Sequence, residues 1–226
     1  MRPGDLTRIL QLASQALPIG GYSHSQGLES AIEHRVVWDE ASVLDWILGG
    51  FEFSMATFEV PCLLAMIEAW STLDADRVNG LNKEFVASRE SAETRAATLQ
   101  MGYSLRALLD ALPDFPAAPA AILRTLVEPC LPCVWGAACA AWRIDPRDSA
   151  VAYAWSWAEN QVLVAVKTLP MGQSAGQRIL SSLGRSIERR WDGGTFNCGD
   201  ERSAFAPALA ILCARHETQY SRLFRS

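Results

Sequence analysis

Cys130 and Cys133 bracket Leu131-Pro132 and form the sharpest chemical spacing in the chain. A CxxC pair carries redox chemistry when it borders a βαβ unit. It holds structural zinc when a second ligand pair follows at matching spacing. No βαβ pattern flanks it, and none of the three histidines, His24, His34 and His216, is near. The pair reads as core thiols at a helix start; a thiol-redox or metal-binding role for Cys130 and Cys133 is the alternative. Gly172-Gln173-Ser174-Ala175-Gly176-Gln177-Arg178 resembles a phosphate loop opening a helix. Such a loop needs Lys, then Ser or Thr, after its last Gly, to reach the phosphates and to hold Mg²⁺. Gln177-Arg178 stands there instead, so the segment reads as a capped helix start, with no GTP binding by this chain alone. His24 between Ser23 and Ser25 suggests a hydrolase, but no G-x-S-x-G elbow exists. No catalytic residue, cofactor site or metal ligand is assigned, and the chain is expected not to be an enzyme.

The elements that must position these residues are helical almost throughout. Leu6, Ile9, Leu10, Ala13 and Leu17 mark one apolar face, and Pro18-Ile19-Gly20-Gly21 stops that helix. Ser23 and Gln26 have capping-box spacing ahead of a short helix to about His34. Asp39 is an N-cap, with Trp38 and Val43 placed for a hydrophobic staple. Gly49-Gly50 and Pro61 predict breaks or kinks before Trp70. From Asp74 to about Leu112 the pattern predicts two helices, with Lys83, Glu84, Arg89, Glu90, Glu93 and Arg95 on a solvated face. Residues 113–119 read as a loop, and Pro129 and Pro132 bracket the start of a helix ending near Trp142. Asp145-Pro146 opens a helix that is apolar on nearly all sides, which predicts a central position. Pro170-Met171-Gly172 ends it. Ser174 and Gln177 have capping-box spacing for the next helix, which runs to about Arg190. Gly193-Gly194 opens a polar loop to about Ser203, and a last helix begins near Pro207. Period-2 runs are absent. The fold expected is all-α: one domain over 1–226, a helical bundle around a central apolar helix, with 204–226 a C-terminal helix and partner-binding tail.

Composition bounds the rest. The 226 residues carry a net charge of -5, which gives no electrostatic footprint for nucleic acid. The most apolar stretch, Val151 to Leu169, contains Glu159, Asn160, Gln161 and Lys167, which suits a core helix better than a membrane span. Four of the six cysteines sit in Ala/Trp/Leu-rich segments. That suits reduced thiols and a cytoplasmic protein.

Tyr220, Leu223 and Phe224 are spaced i, i+3, i+4, so a helical turn would place them on one face, beside Arg222 and Arg225. Aromatic and Arg side chains are enriched at interface hot spots. The segment reads as a partner-binding surface, mobile in the free protein and apart from the core. A tail folded back on its own core is the alternative.

Leu17-Pro18-Ile19-Gly20-Gly21-Tyr22-Ser23-His24-Ser25-Gln26-Gly27-Leu28-Glu29 resembles the N-terminal signature of the UreF family of urease accessory proteins. Lys167-Thr168-Leu169-Pro170-Met171-Gly172-Gln173, followed by Gln177, is similar to its central block. The run from His216 to Ser226 is similar to its ending. The blocks stand in the family's order, end to end. The resemblance implies an all-helical accessory protein, tending to form a homodimer. It would bind UreD (also called UreH), recruit and modulate the GTPase UreG, and dock on urease apoprotein for nickel delivery. Partner-binding residues carried over are Gly20, Gly21, Ser23, Glu29, Lys167, Gly172, Gln173, Tyr220, Arg222, Leu223 and Phe224, with Lys167 on the side facing the GTPase. A nickel-binding chaperone in its own right is a further possibility.

Overall fold

The computed structural model describes residues 3–192 and 202–226. The expected loop from Gly193 to about Ser203 lies almost wholly outside the described residues, as does Cys198. The fold is all-α, with no strand among the described residues. The helices are α1 Pro3–Ala13, α2 Leu28–Glu33, α3 Glu40–Gly50, α4 Val60–Ser71, α5 Ala75–Ala87 and α6 Ala92–Ala111. They continue with α7 Ala117–Thr125, α8 Leu131–Ala141, α9 Pro146–Thr168, α10 Gln173–Asp192 and α11 Pro207–His216.

Helix α9 is the central one. The Asp145 carboxylate accepts from the Arg147 amide and Pro146 occupies the first turn, which starts the helix as expected. It packs against α1, α2, α3, α4 and α10. Its centre is not purely apolar, because Ser149, Asn160 and Gln161 are buried too. One core cluster gathers around α4, α6 and α8. A smaller one joins α2, α3, α9 and α10, and it includes Phe224.

The segment ahead of α8 is fixed by side-chain groups. Asn82 donates to the Glu128 carbonyl (2.8 Å) and accepts from the Cys130 amide (2.8 Å), while Thr98 Oγ1 accepts from the Leu131 amide (3.2 Å). These bonds satisfy backbone groups that no helix yet pairs.

Breaks expected at Gly49-Gly50 and Pro61 do not occur. Residues Glu40–Ser71 run as one helix, joined through a π-helical segment at Phe51–Glu59. By length and composition this helix could cross a membrane, but most of its apolar window is buried inside the protein, as in a core helix. The π segment has a geometric effect. Gly50 and Glu59 are nine residues apart, about two and a half α-helical turns, which would put them on opposite faces. Both instead face α9: Gly50 lies against the Trp157 ring, and Glu59 accepts from the Tyr153 hydroxyl at 3.1 Å. Tyr153 and Trp157 are one turn apart. The wider i→i+5 turn absorbs the half-turn mismatch. Pro61 has no N–H to offer Thr57, four residues earlier. The Thr57 carbonyl accepts from the Ser203 amide at 3.2 Å.

Other expectations need correction. Ser23 and Gln26 do not form a capping box. Ser23 closes a single 3₁₀ turn, its hydroxyl donating to the Gly20 carbonyl at 2.7 Å, and α2 starts after Gly27 with no side-chain cap. Asp39 does cap α3, but reciprocally with Ser42, and Trp38 stays 62% exposed while Val43 is buried. Helix α7 occupies part of the expected 113–119 loop. Ser174 lies inside the first turn of α10. The solvated face on α5 and α6 is not uniformly solvated. Arg89 is half-buried, pairs with Glu59 at 2.8 Å and lies over the Phe85 ring; Glu93 is half-buried too.

Candidate partner-binding face

Glu29, in the first turn of α2, is only 5% exposed. Its carboxylate accepts from the amides of Leu223 (2.6 Å) and Phe224 (3.1 Å) and meets His216 Nε2 at 3.0 Å. Glu93 on α6 meets His216 Nδ1 at 2.6 Å and pairs with Arg222 at 2.6 Å. Beyond this the chain end lies along residues 23–26. The Arg225 amide donates to the Ser23 carbonyl at 2.8 Å, and the Ser226 carbonyl oxygen accepts from the amides of Ser25 and Gln26. Ser226 Oγ meets His24 Nδ1 at 2.8 Å.

Helix α9 holds the 24–26 segment from beneath. Asn160 donates to the His24 carbonyl (2.9 Å), Gln161 to the Ser25 carbonyl (3.2 Å) and Trp157 to the Gln26 side chain (2.7 Å). Gly27 adopts φ 85°, which favours glycine, and an added Cβ would lie 2.9 Å from Cys213 Sγ. Burial, aided by the nearby Arg225 charge, pushes the His24 imidazole down to about 4. The ring is therefore neutral at pH 7 and needs no buried counter-charge.

The tail corrects the sequence expectation. Helix α11 ends at His216, and residues 217–226 are not helical. Tyr220, Leu223 and Phe224 therefore do not share a helical face. Phe224 is 7% exposed, in the cluster with Leu28, Val37, Val164 and Ala165, against which Leu169 and Met171 pack. The fold-back alternative holds for this residue. Tyr220 and Leu223 point outward, Leu223 72% exposed and Tyr220 fully so. Tyr22 is also exposed, with Lys167 Nζ 5.8 Å from its ring centroid. Gly20 holds the preceding turn with φ 76°, and Gly21 comes next.

The structure thus joins three separated stretches: residues 20–29, the end of α9, and residues 216–226. Gly172 and Gln173 stand exposed at the head of α10, one step beyond Met171. Sequence reasoning gave Glu93 to a solvated face, Gln26 to a helix cap and His24 and Asn160 no part in holding the tail face. No local pattern marks them, because each acts on a residue more than a hundred positions away.

A family model described as UreF matches residues 37–184. The chain is 50% identical over 223 residues to the urease accessory protein UreF of Dechloromonas aromatica, covering 98% of each chain. The chain belongs to the UreF family. It is also 49% identical to UreF of Azoarcus sp., covering 98% of this chain and 95% of that one. The bifunctional urease accessory protein UreEF of Bordetella bronchiseptica matches at 45% identity, over 99% of this chain and 52% of its own length. The UreF match at 37–184 covers the scaffold from Val37 into α10. The tail and the 20–29 segment that meets it lie outside that range.

Within this UreF fold the CxxC pair sits deep in the core. Cys130 and Cys133 are both 0% exposed. Burial pushes the Cys133 thiol up to about 12 and Cys130 well above its usual value. Cys62, Cys139 and Cys213 are raised for the same reason. A reactive thiol needs a lowered pKa and access. With Cys198 replaced by Ser, the native protein should show no fast reaction with an aromatic disulfide reagent, and unfolding should release five thiols. A rapidly titrating thiol in the folded protein would restore the redox reading. Among the described residues, no group of three or more His, Cys, Asp or Glu side chains is placed to hold a metal ion.

Proposed function

We propose that this chain is a non-catalytic urease maturation factor. In this reading the whole 1–226 unit acts as one module. It binds UreD/UreH through its tail face, recruits and modulates the GTPase UreG, and docks the assembly on urease apoprotein for nickel delivery. It works in the cytoplasm as a homodimer. The relatives named urease accessory proteins support the maturation role. The name UreEF, for a relative that joins two accessory functions in one chain, supports action within an accessory assembly.

One observation carries the surface assignment. Tyr22, Tyr220 and Leu223 stand exposed on segments whose backbones are tied down by buried groups. Exposed aromatic and aliphatic side chains on an ordered support are what a partner can bury at little entropic cost. Gly20, Gly21, Ser23, Glu29 and Phe224 shape that support, while Tyr220, Arg222 and Leu223 are the contact residues and Lys167 lies on the side toward UreG. Gly172 and Gln173 extend the face toward UreG.

Tyr220→Ala combined with Leu223→Ala is the test. These side chains touch solvent, so the melting temperature should hold, since exposed substitutions change stability by about 0.5 kcal/mol or less. UreD capture in co-purification should fall roughly thirtyfold, the effect of losing about 2 kcal/mol at a hot spot. Undiminished UreD capture would overturn the assignment.

A further inference from the structure

Glu29 is too buried to touch a partner, yet its carboxylate collects more tail contacts than any surface role requires. It accepts from two consecutive tail amides and faces His216 Nε2. His216 is 0% exposed, and its other ring nitrogen faces Glu93, which also pairs with Arg222. The tail is irregular here, so no helix or sheet partner serves the Leu223 and Phe224 amides. Left unpaired, the buried Phe224 amide would destabilise the docked tail. His216 bridges the two carboxylates through its two ring nitrogens, Nε2 to Glu29 and Nδ1 to Glu93. The result is an array of charge-assisted hydrogen bonds linking α2, α6, the end of α11 and the tail.

We propose that Glu29, His216 and Glu93 are positioning residues that latch the tail. They hold residues 217–226 in one arrangement, so that Tyr220 and Leu223 are presented already ordered to the partner. Their effect on binding rests on reading those two side chains as the UreD face; the latch itself does not. A tail ordered before binding has less freedom to lose on association. Glu29 and Glu93 then influence UreD capture without contacting UreD.

The experiment uses the full chain and two readouts: hydrogen exchange of residues 217–226 in the free protein, and co-purification with UreD. Glu29→Gln keeps the shape but turns one acceptor into a donor facing donors. The tail amides should exchange about tenfold faster or more, the scale of one lost charge-assisted bond. Helix α9 should stay as protected as in wild type, and UreD capture should drop about tenfold. Glu93→Gln should act in the same direction, and it carries the test if Glu29→Gln fails to fold. Tyr220→Ala should weaken capture with tail exchange unchanged. Wild-type tail exchange in the folded glutamine variants would overturn the latch. A loosened tail with full UreD capture would overturn the positioning role. Full capture by the Tyr220→Ala, Leu223→Ala variant would instead sink the partner-face reading, with exchange still deciding the latch.

Discussion

Gly102→Ala should destabilise the protein by about 3 kcal/mol, despite replacing the poorer helix former with the best one. Gly102 lies within α6 where that helix crosses the chain ahead of α8. An added Cβ would sit 2.0 Å from the Pro129 carbonyl oxygen and 2.7 Å from the Cys130 carbonyl carbon. Both are backbone atoms, so no rotamer change relieves the clash. The 129–131 segment must retreat, and its bonds to Asn82 and Thr98 stretch with it. At roughly 2–4 °C per kcal/mol for a chain of this size, melting should fall by about 10 °C. Gly80→Ala supplies the opposite sign. Gly80 is inside α5 with nothing within 4 Å of its added Cβ, so the same change should stabilise by up to about 1 kcal/mol. Thermal melts of the two variants side by side decide it. Equal behaviour would mean that α6 and the Pro129–Cys130 backbone do not approach this closely.

Phe224→Ala should lower both stability and UreD capture. Truncating a buried Phe costs about 3–5 kcal/mol when the surroundings cannot collapse. This one closes the cluster of Leu28, Val37, Val164 and Ala165 from a non-helical segment that can let go, so roughly 2–3 kcal/mol is expected. Released, the tail no longer places Tyr220 and Leu223. Melting temperature and UreD co-purification should therefore fall together, in contrast to the exposed pair, which should affect capture alone. An unchanged melting temperature would show that Phe224 is not seated in this core.

How far the fold is legible in the sequence depends on the range of the forces involved. Asp39, Asp145 and Pro207 announce helix starts through short-range chemistry, and all three do so in the structure. Gly49-Gly50 misleads because Gly50 answers a distant need, room for the Trp157 ring, while Gly49 has open space beside it. Arg89 and Glu93 mislead as solvated charges because their partners, Glu59 and His216, lie far along the chain. The candidate face divides similarly. Most of its residues can be named from the three matching blocks, but Glu93 and Asn160 lie outside them. That Glu29 supports the tail while Tyr220 faces outward emerges only from the folded path.

The π-helical segment makes residue count at 51–59 matter alongside residue identity. Nine residues there complete about two turns, so deleting one would rotate α3 by roughly 80° relative to α4 and draw it closer. Val43 and Ile47 would then swing out of the core. A substitution at the exposed Phe53 asks nothing comparable of the fold. Aligned family members should therefore vary at the exposed Phe53 position, keep the buried Phe51, Met55, Ala56 and Phe58 positions apolar, and admit no single-residue gap through this stretch.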